Sequence, residues 1–123
     1  MTKKFSLLFL LLPLFLAGCT KINTPAAPQV SALDNKTILF YGSTCPHCQI
    51  VEQYLDDHKI YDKMTIDKKE VYQDKDNANL MMEAVRRCSL SQNNVGVPFL
   101  WVENKCLVGD EEVTNYFKTK FNL

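Results

Sequence analysis

Cys45-Pro46-His47-Cys48 sets two thiols three positions apart, after an apolar run (Thr37 to Tyr41) and at the start of a segment with helical periodicity. Cysteines so placed can close a disulfide with each other and reopen it, the minimum needed to move electron pairs between protein thiols. The nucleophile in such exchange is a thiolate, and an unperturbed cysteine ionises near pH ~8.5. At a helix start Cys45 meets unpaired N–H groups and the positive end of the helix dipole, both of which favour its anion. His47 between the thiols can add a donor or a positive charge; the alternative is an exposed ring with little influence. A stabilised thiolate makes Cys45 a good leaving group and pushes the pair towards being an oxidant. Cys48, one turn in and more buried, is then the resolving thiol.

The elements that must hold this pair can be read from the flanking pattern. Thr37–Tyr41 reads as a central strand covered on both faces. Pro46 suits the first helical position, and Ile50, Val51, Tyr54 and Leu55 form a stripe that runs to about Asp57. Met64, Ile66, Val71 and Tyr72 mark a strand among charged residues. Asp76 or Asn77 is expected to cap a second helix that buries Leu80, Met81, Ala84, Val85 and Cys88. Val97–Val102 reads as a strand with Pro98 at its start, and Lys105–Val108 as its hairpin partner across Glu103-Asn104. Asp110 is expected to cap a last helix, with Glu111 and Glu112 in its first turn and Lys118 and Lys120 at its end. Val113, Tyr116 and Phe117 would face inward. The result is an α/β domain over residues 36–123, in the order β-α-β-α-β-β-α, with no internal repeat.

The start of the chain speaks to location. Lys3 and Lys4 precede an apolar stretch from Phe5 to Leu16, followed by Ala17 and Gly18. That is the layout of a secretory signal peptide, too short for a bilayer span of about 20 apolar residues. Leu16-Ala17-Gly18-Cys19 resembles the bacterial lipobox, which implies cleavage after residue 18 and lipidation of Cys19. An ordinary signal peptide with an incidental cysteine, or an uncleaved anchor, is the alternative. Several acyl chains, at about 0.8 kcal/mol per buried CH₂, would anchor the protein stably outside the cytoplasm. Thr20 rather than an aspartate follows, which favours an outer membrane in a cell that has one.

Cleavage would take 18 of 123 residues and leave 105, enough for one domain. It removes two lysines from a balance of 14 basic against 14 acidic residues, so the mature formal charge is 12 − 14 = −2. Such a chain carries no basic run to suggest nucleic acid as a partner. Residues 19–35, with Pro25 and Pro28 and no apolar periodicity, read as a lipidated end and tether with an r.m.s. reach of about 20–25 Å.

The CxxC after the first strand, Val97-Pro98 about fifty residues later, and the order of elements together resemble the thioredoxin superfamily in its short glutaredoxin-like form. The resemblance covers most of residues 36–123. It implies a three-layer domain with a central mixed sheet, a cis peptide bond before Pro98 facing the disulfide, and thiol–disulfide oxidoreductase activity. Pro46-His47 between the cysteines, and Val97 before the proline, are similar to the periplasmic oxidases that introduce disulfides, although the chain has no room for their inserted helical domain. Where thioredoxins carry a buried aspartate, six residues before the first cysteine, this chain has Leu39. Where glutaredoxins hold glutathione with a lysine and a threonine, it has Gly42 and Gly96; only the acidic helix start, Gly109-Asp110-Glu111, survives. Glutathione use is left in doubt, and no cofactor is expected beyond the Cys45–Cys48 disulfide. Expected partners are protein thiols or disulfides of the cell envelope and a further redox protein, acting on a monomer held to the membrane by its lipid.

Cys88 and Cys106 remain. In an exported protein an even remainder invites a structural disulfide, and an 18-residue separation would contribute about 3 kcal/mol. Two buried free cysteines are the alternative. No metal is expected: a zinc site needs three or four ligands, and beside Cys45 and Cys48 only His47 or His58 is on offer. Two other functions compete, a copper-handling lipoprotein, since thiolates suit Cu(I), and a redox-inactive binding lipoprotein of the same fold.

Overall fold

The computed structural model describes residues 31–123, so the expected signal peptide and the expected lipidation at Cys19 lie outside the described residues. Among the described residues eight elements follow one another: β1 (Ile38–Tyr41), α1 (Pro46–Asp57), α2 (Ile60–Lys63), β2 (Asp67–Glu70), α3 (Lys75–Arg87), β3 (Phe99–Val102), β4 (Lys105–Val108) and α4 (Asp110–Phe121). The strands form one mixed sheet in the order β2-β1-β3-β4. β1 and β2 are parallel; β1 with β3 and β3 with β4 are antiparallel.

Successive side chains of a strand point to opposite faces, and this sheet buries both. Ile38, Phe40, Phe99 and Trp101 meet Met81, Ala84 and Val85 of α3 on one side. Leu39, Leu100 and Val102 meet Val51 and Leu55 of α1, Ile60 of α2, and Val113 and Phe117 of α4 on the other. The continuous apolar runs of β1 and β3 follow from this double cover. The β3–β4 turn places Glu103 and Asn104 at φ 51° and 59°, the pair of positive values that a two-residue hairpin of matching twist requires.

Several expected boundaries are corrected. A short helix, α2, is added between α1 and β2 after Lys59 turns left-handed at φ 51°. β2 is Asp67–Glu70, a charged edge strand, while the apolar residues expected to mark it flank it: Met64 and Ile66 enter one core and Val71 the other. Asp74, not Asp76 or Asn77, caps α3; those two donate their N–H groups to its carboxylate, at 3.0 Å each. Asp110 is the first residue of α4, and Gly109 takes the cap position at φ 90°, where a side chain would be strained. β3 starts at Phe99, with Val97 and Pro98 ahead of it.

The packed chain also begins earlier than Lys36. Leu33 is fully buried among Ile38, Trp101 and the α3 residues. Its carbonyl accepts the Trp101 indole N–H at 2.8 Å, and Asp34 pairs with Arg87 at 2.8 Å. A bulky indole buried in a core needs an acceptor for its N–H, and this turn provides it.

Candidate active site

β1 ends at Tyr41 and the chain turns sharply, Cys45 N–H donating to the Gly42 carbonyl at 3.1 Å. Cys45 is the N-cap of α1, with extended backbone (φ −85°, ψ 114°) and Pro46 behind it at the first helical position. Its sulfur does what a serine or aspartate oxygen does at a cap: it accepts the Cys48 N–H, at 3.1 Å. No acidic residue stands in the first turn of α1 to oppose negative charge there. Cys45 and Cys48 are bonded to each other, and 5% and 3% of their surfaces are exposed, so the pair differs little in cover while oxidised.

The Val97–Pro98 peptide bond is cis, and the Val97 carbonyl oxygen lies 3.6 Å from Cys45 Sγ. Sequence distance of 52 residues is thereby closed to one contact. The Pro98 carbonyl accepts the Gly109 N–H at 2.9 Å, tying this corner to the start of α4.

His47 points elsewhere. Its Nδ1 lies 2.9 Å from Asp110 Oδ1, with the ring two-thirds exposed, so the side chain bridges the starts of α1 and α4. The donor on Cys45 Sγ is the Cys48 main-chain amide.

On the opposite flank Glu70, the last residue of β2, gathers two loops. Its carboxylate accepts the N–H groups of Tyr72 at 3.0 Å, Gln73 at 2.8 Å and Ser43 at 3.1 Å. These bonds, that from Gln73 foremost, hold its pKa below the usual carboxylate value. Sequence reasoning passed over Glu70 because Ser43, 27 residues away, is brought to it only by the β1–β2 pairing.

Cys88 caps the C-terminal end of α3 and is disulfide-bonded to Cys106 of β4. Cys106 registers with Trp101, which faces Ile38, at the end of β1 away from Cys45. The two disulfides are therefore held apart by the sheet. His58 closes the far end of α1, about 20 Å along the helix from Cys45, and its ring lies tilted against that of Tyr54 with centres 4.3 Å apart. Among the described residues no group of three or more His, Cys, Asp and Glu side chains converges as metal ligands would. Nor, among them, is any helix long and apolar enough to cross a membrane.

No protein-family model matches this chain, and no curated protein matches it significantly.

Proposed function

We propose that this protein is a thiol–disulfide oxidoreductase of the thioredoxin-like, glutaredoxin-type fold, acting on polypeptide thiols outside the cytoplasm from a lipid anchor at Cys19. The observation that carries the proposal is the Cys45 sulfur at a helix cap, 3.1 Å from the Cys48 N–H and beside the cis bond before Pro98. α/β architecture with a mixed four-stranded sheet, and the CxxC placed directly after β1, support the fold assignment.

The exchange balances without a further reactant. A substrate thiolate attacks Cys45 Sγ, forming a mixed disulfide and releasing Cys48 as a thiolate, which takes up a proton. The second substrate thiol, having given its proton to solvent, then attacks the substrate's first sulfur in the mixed disulfide, and Cys45 leaves as a thiolate. Two electrons pass from substrate dithiol to the Cys45–Cys48 pair. The amide N–H and the helix dipole stabilise the departing Cys45 anion, which favours the oxidising direction.

A peptide dithiol incubated with the oxidised protein tests this: one equivalent of peptide disulfide is expected per protein. The reduction potential against a glutathione buffer tests direction, and a value as low as that of thioredoxin, about −270 mV, overturns the oxidising assignment. In cells Cys48→Ala, which cannot form the Cys45–Cys48 disulfide, should hold on Cys45 those partners whose disulfides its thiolate attacks, a reoxidising protein among them, because Cys48 is no longer there to release them. Empty traps together with an inert purified protein would leave a binding lipoprotein instead.

A further inference from the structure

Tyr72 stands in the open, 56% exposed, on the flank of the candidate site. Its ring lies against Gly42 so closely that a Cβ at position 42 would collide with it. Gly42 is also the residue whose carbonyl holds the Cys45 N–H, so the aromatic ring and the turn that presents the sulfur share one support.

The ring's base is fastened. Glu70 takes the Tyr72 N–H with the same carboxylate that takes the Ser43 N–H, two positions before Cys45. The Glu70 carbonyl is itself held by Asn77 Nδ2 at 3.0 Å, and the Val71 N–H by the Tyr41 carbonyl at 2.9 Å. An exposed aromatic on a free loop is common and means little. One clamped against the turn that presents Cys45 is different, because a side chain ordered before binding loses little freedom when it is covered.

We propose that Tyr72 is a specificity-determining contact for the polypeptide whose cysteine reaches Cys45, and that Glu70 is the positioning residue that sets the ring's place. The preferred substrate is a segment with an aromatic or large apolar side chain beside its cysteine, able to lie on the ring. This rests on the exchange reading above, and goes beyond it by naming the substrate class. Aromatic contacts contribute about 0.5–1.5 kcal/mol, which corresponds to roughly two- to tenfold in rate.

The test uses the oxidised protein and two reduced peptides that differ only in having Phe or Gly beside the cysteine, with dithiothreitol as a probe that has no side chain to dock. The readout is the ratio of the second-order rate constants with which the Phe peptide and the Gly peptide reduce the Cys45–Cys48 disulfide in a single turnover. Wild type should show a ratio of roughly two to ten; Tyr72→Phe should keep it and Tyr72→Ala should bring it close to one. Glu70→Gln should lower the ratio too, and the Glu70→Gln/Tyr72→Ala pair should lower it no further than Tyr72→Ala alone. No preference in wild type, or a preference untouched by Tyr72→Ala, overturns the proposal while leaving exchange intact. Fully additive effects overturn the part assigned to Glu70. Failure of wild type with both peptides and with dithiothreitol overturns the exchange reading itself.

Discussion

The main-chain N–H of Cys48 points at the sulfur of Cys45 across 3.1 Å. Because the donor belongs to the backbone, it does not depend on the Cys48 side chain. Cys48→Ala should therefore keep Cys45 ionising below the ordinary thiol range of about 8.5. Iodoacetamide alkylation rates of this variant across a pH series will measure it; a midpoint at or above that value would remove the helix-start argument.

Glu70 gives the site an acid limit. Its folded-state pKa is depressed, so its contribution to stability is present above the unfolded value and is lost as pH falls through the folded one. Glu70→Gln should lower the urea midpoint at pH 7, and the gap from wild type should narrow as the pH falls below the ordinary glutamate value of about 4.3 and close once it has passed below the depressed folded one. A gap that persists into strong acid would show that the three N–H bonds contribute nothing through the charge.

Leu33 belongs to the packed core. Its side chain is fully buried and its carbonyl is the acceptor for Trp101. Leu33→Ala should cost about 2–5 kcal/mol, and a chain starting at Lys36 should lose at least as much. Urea unfolding followed by Trp101 fluorescence will compare them with a chain starting at Ser31; equal midpoints would mean that the turn merely rests on the sheet.

The Cys88–Cys106 bond closes a stretch of 18 residues that holds Val97, Pro98 and all of β3. Replacing both cysteines with serine should cost about 3 kcal/mol in denaturant unfolding. The peptide-dithiol reaction of Cys45 and Cys48 should continue well below the new midpoint, since the sheet separates the two bonds. Loss of that reaction in a still-folded variant would point to a relay between the pairs.

Local rules made much of this protein legible from its residues. Pro46 at the first helical position, the acidic opening and basic end of α4, and the Glu103-Asn104 turn are governed by neighbours within about four residues. The apolar runs of β1 and β3 announced strands buried on both faces for the same reason. β2 escaped because an edge strand has one pairing partner and can be charged throughout, so its apolar flanks misled. The α3 cap shifted to Asp74 because Asp74, Asp76 and Asn77 are all good caps, and only the approach of the preceding chain chooses among them.

Sequence alone determined the thiol pair, its seat at a helix start and the chemistry open to it, since those depend on spacing along one helix. Tertiary structure decided who stands around it: His47 turned to Asp110 across 63 residues, Glu70 reaching Ser43 across 27, and Leu33 locked under Trp101 across 68. Such contacts arise only when strands pair and layers stack, because they join groups whose types carry no local sign of one another.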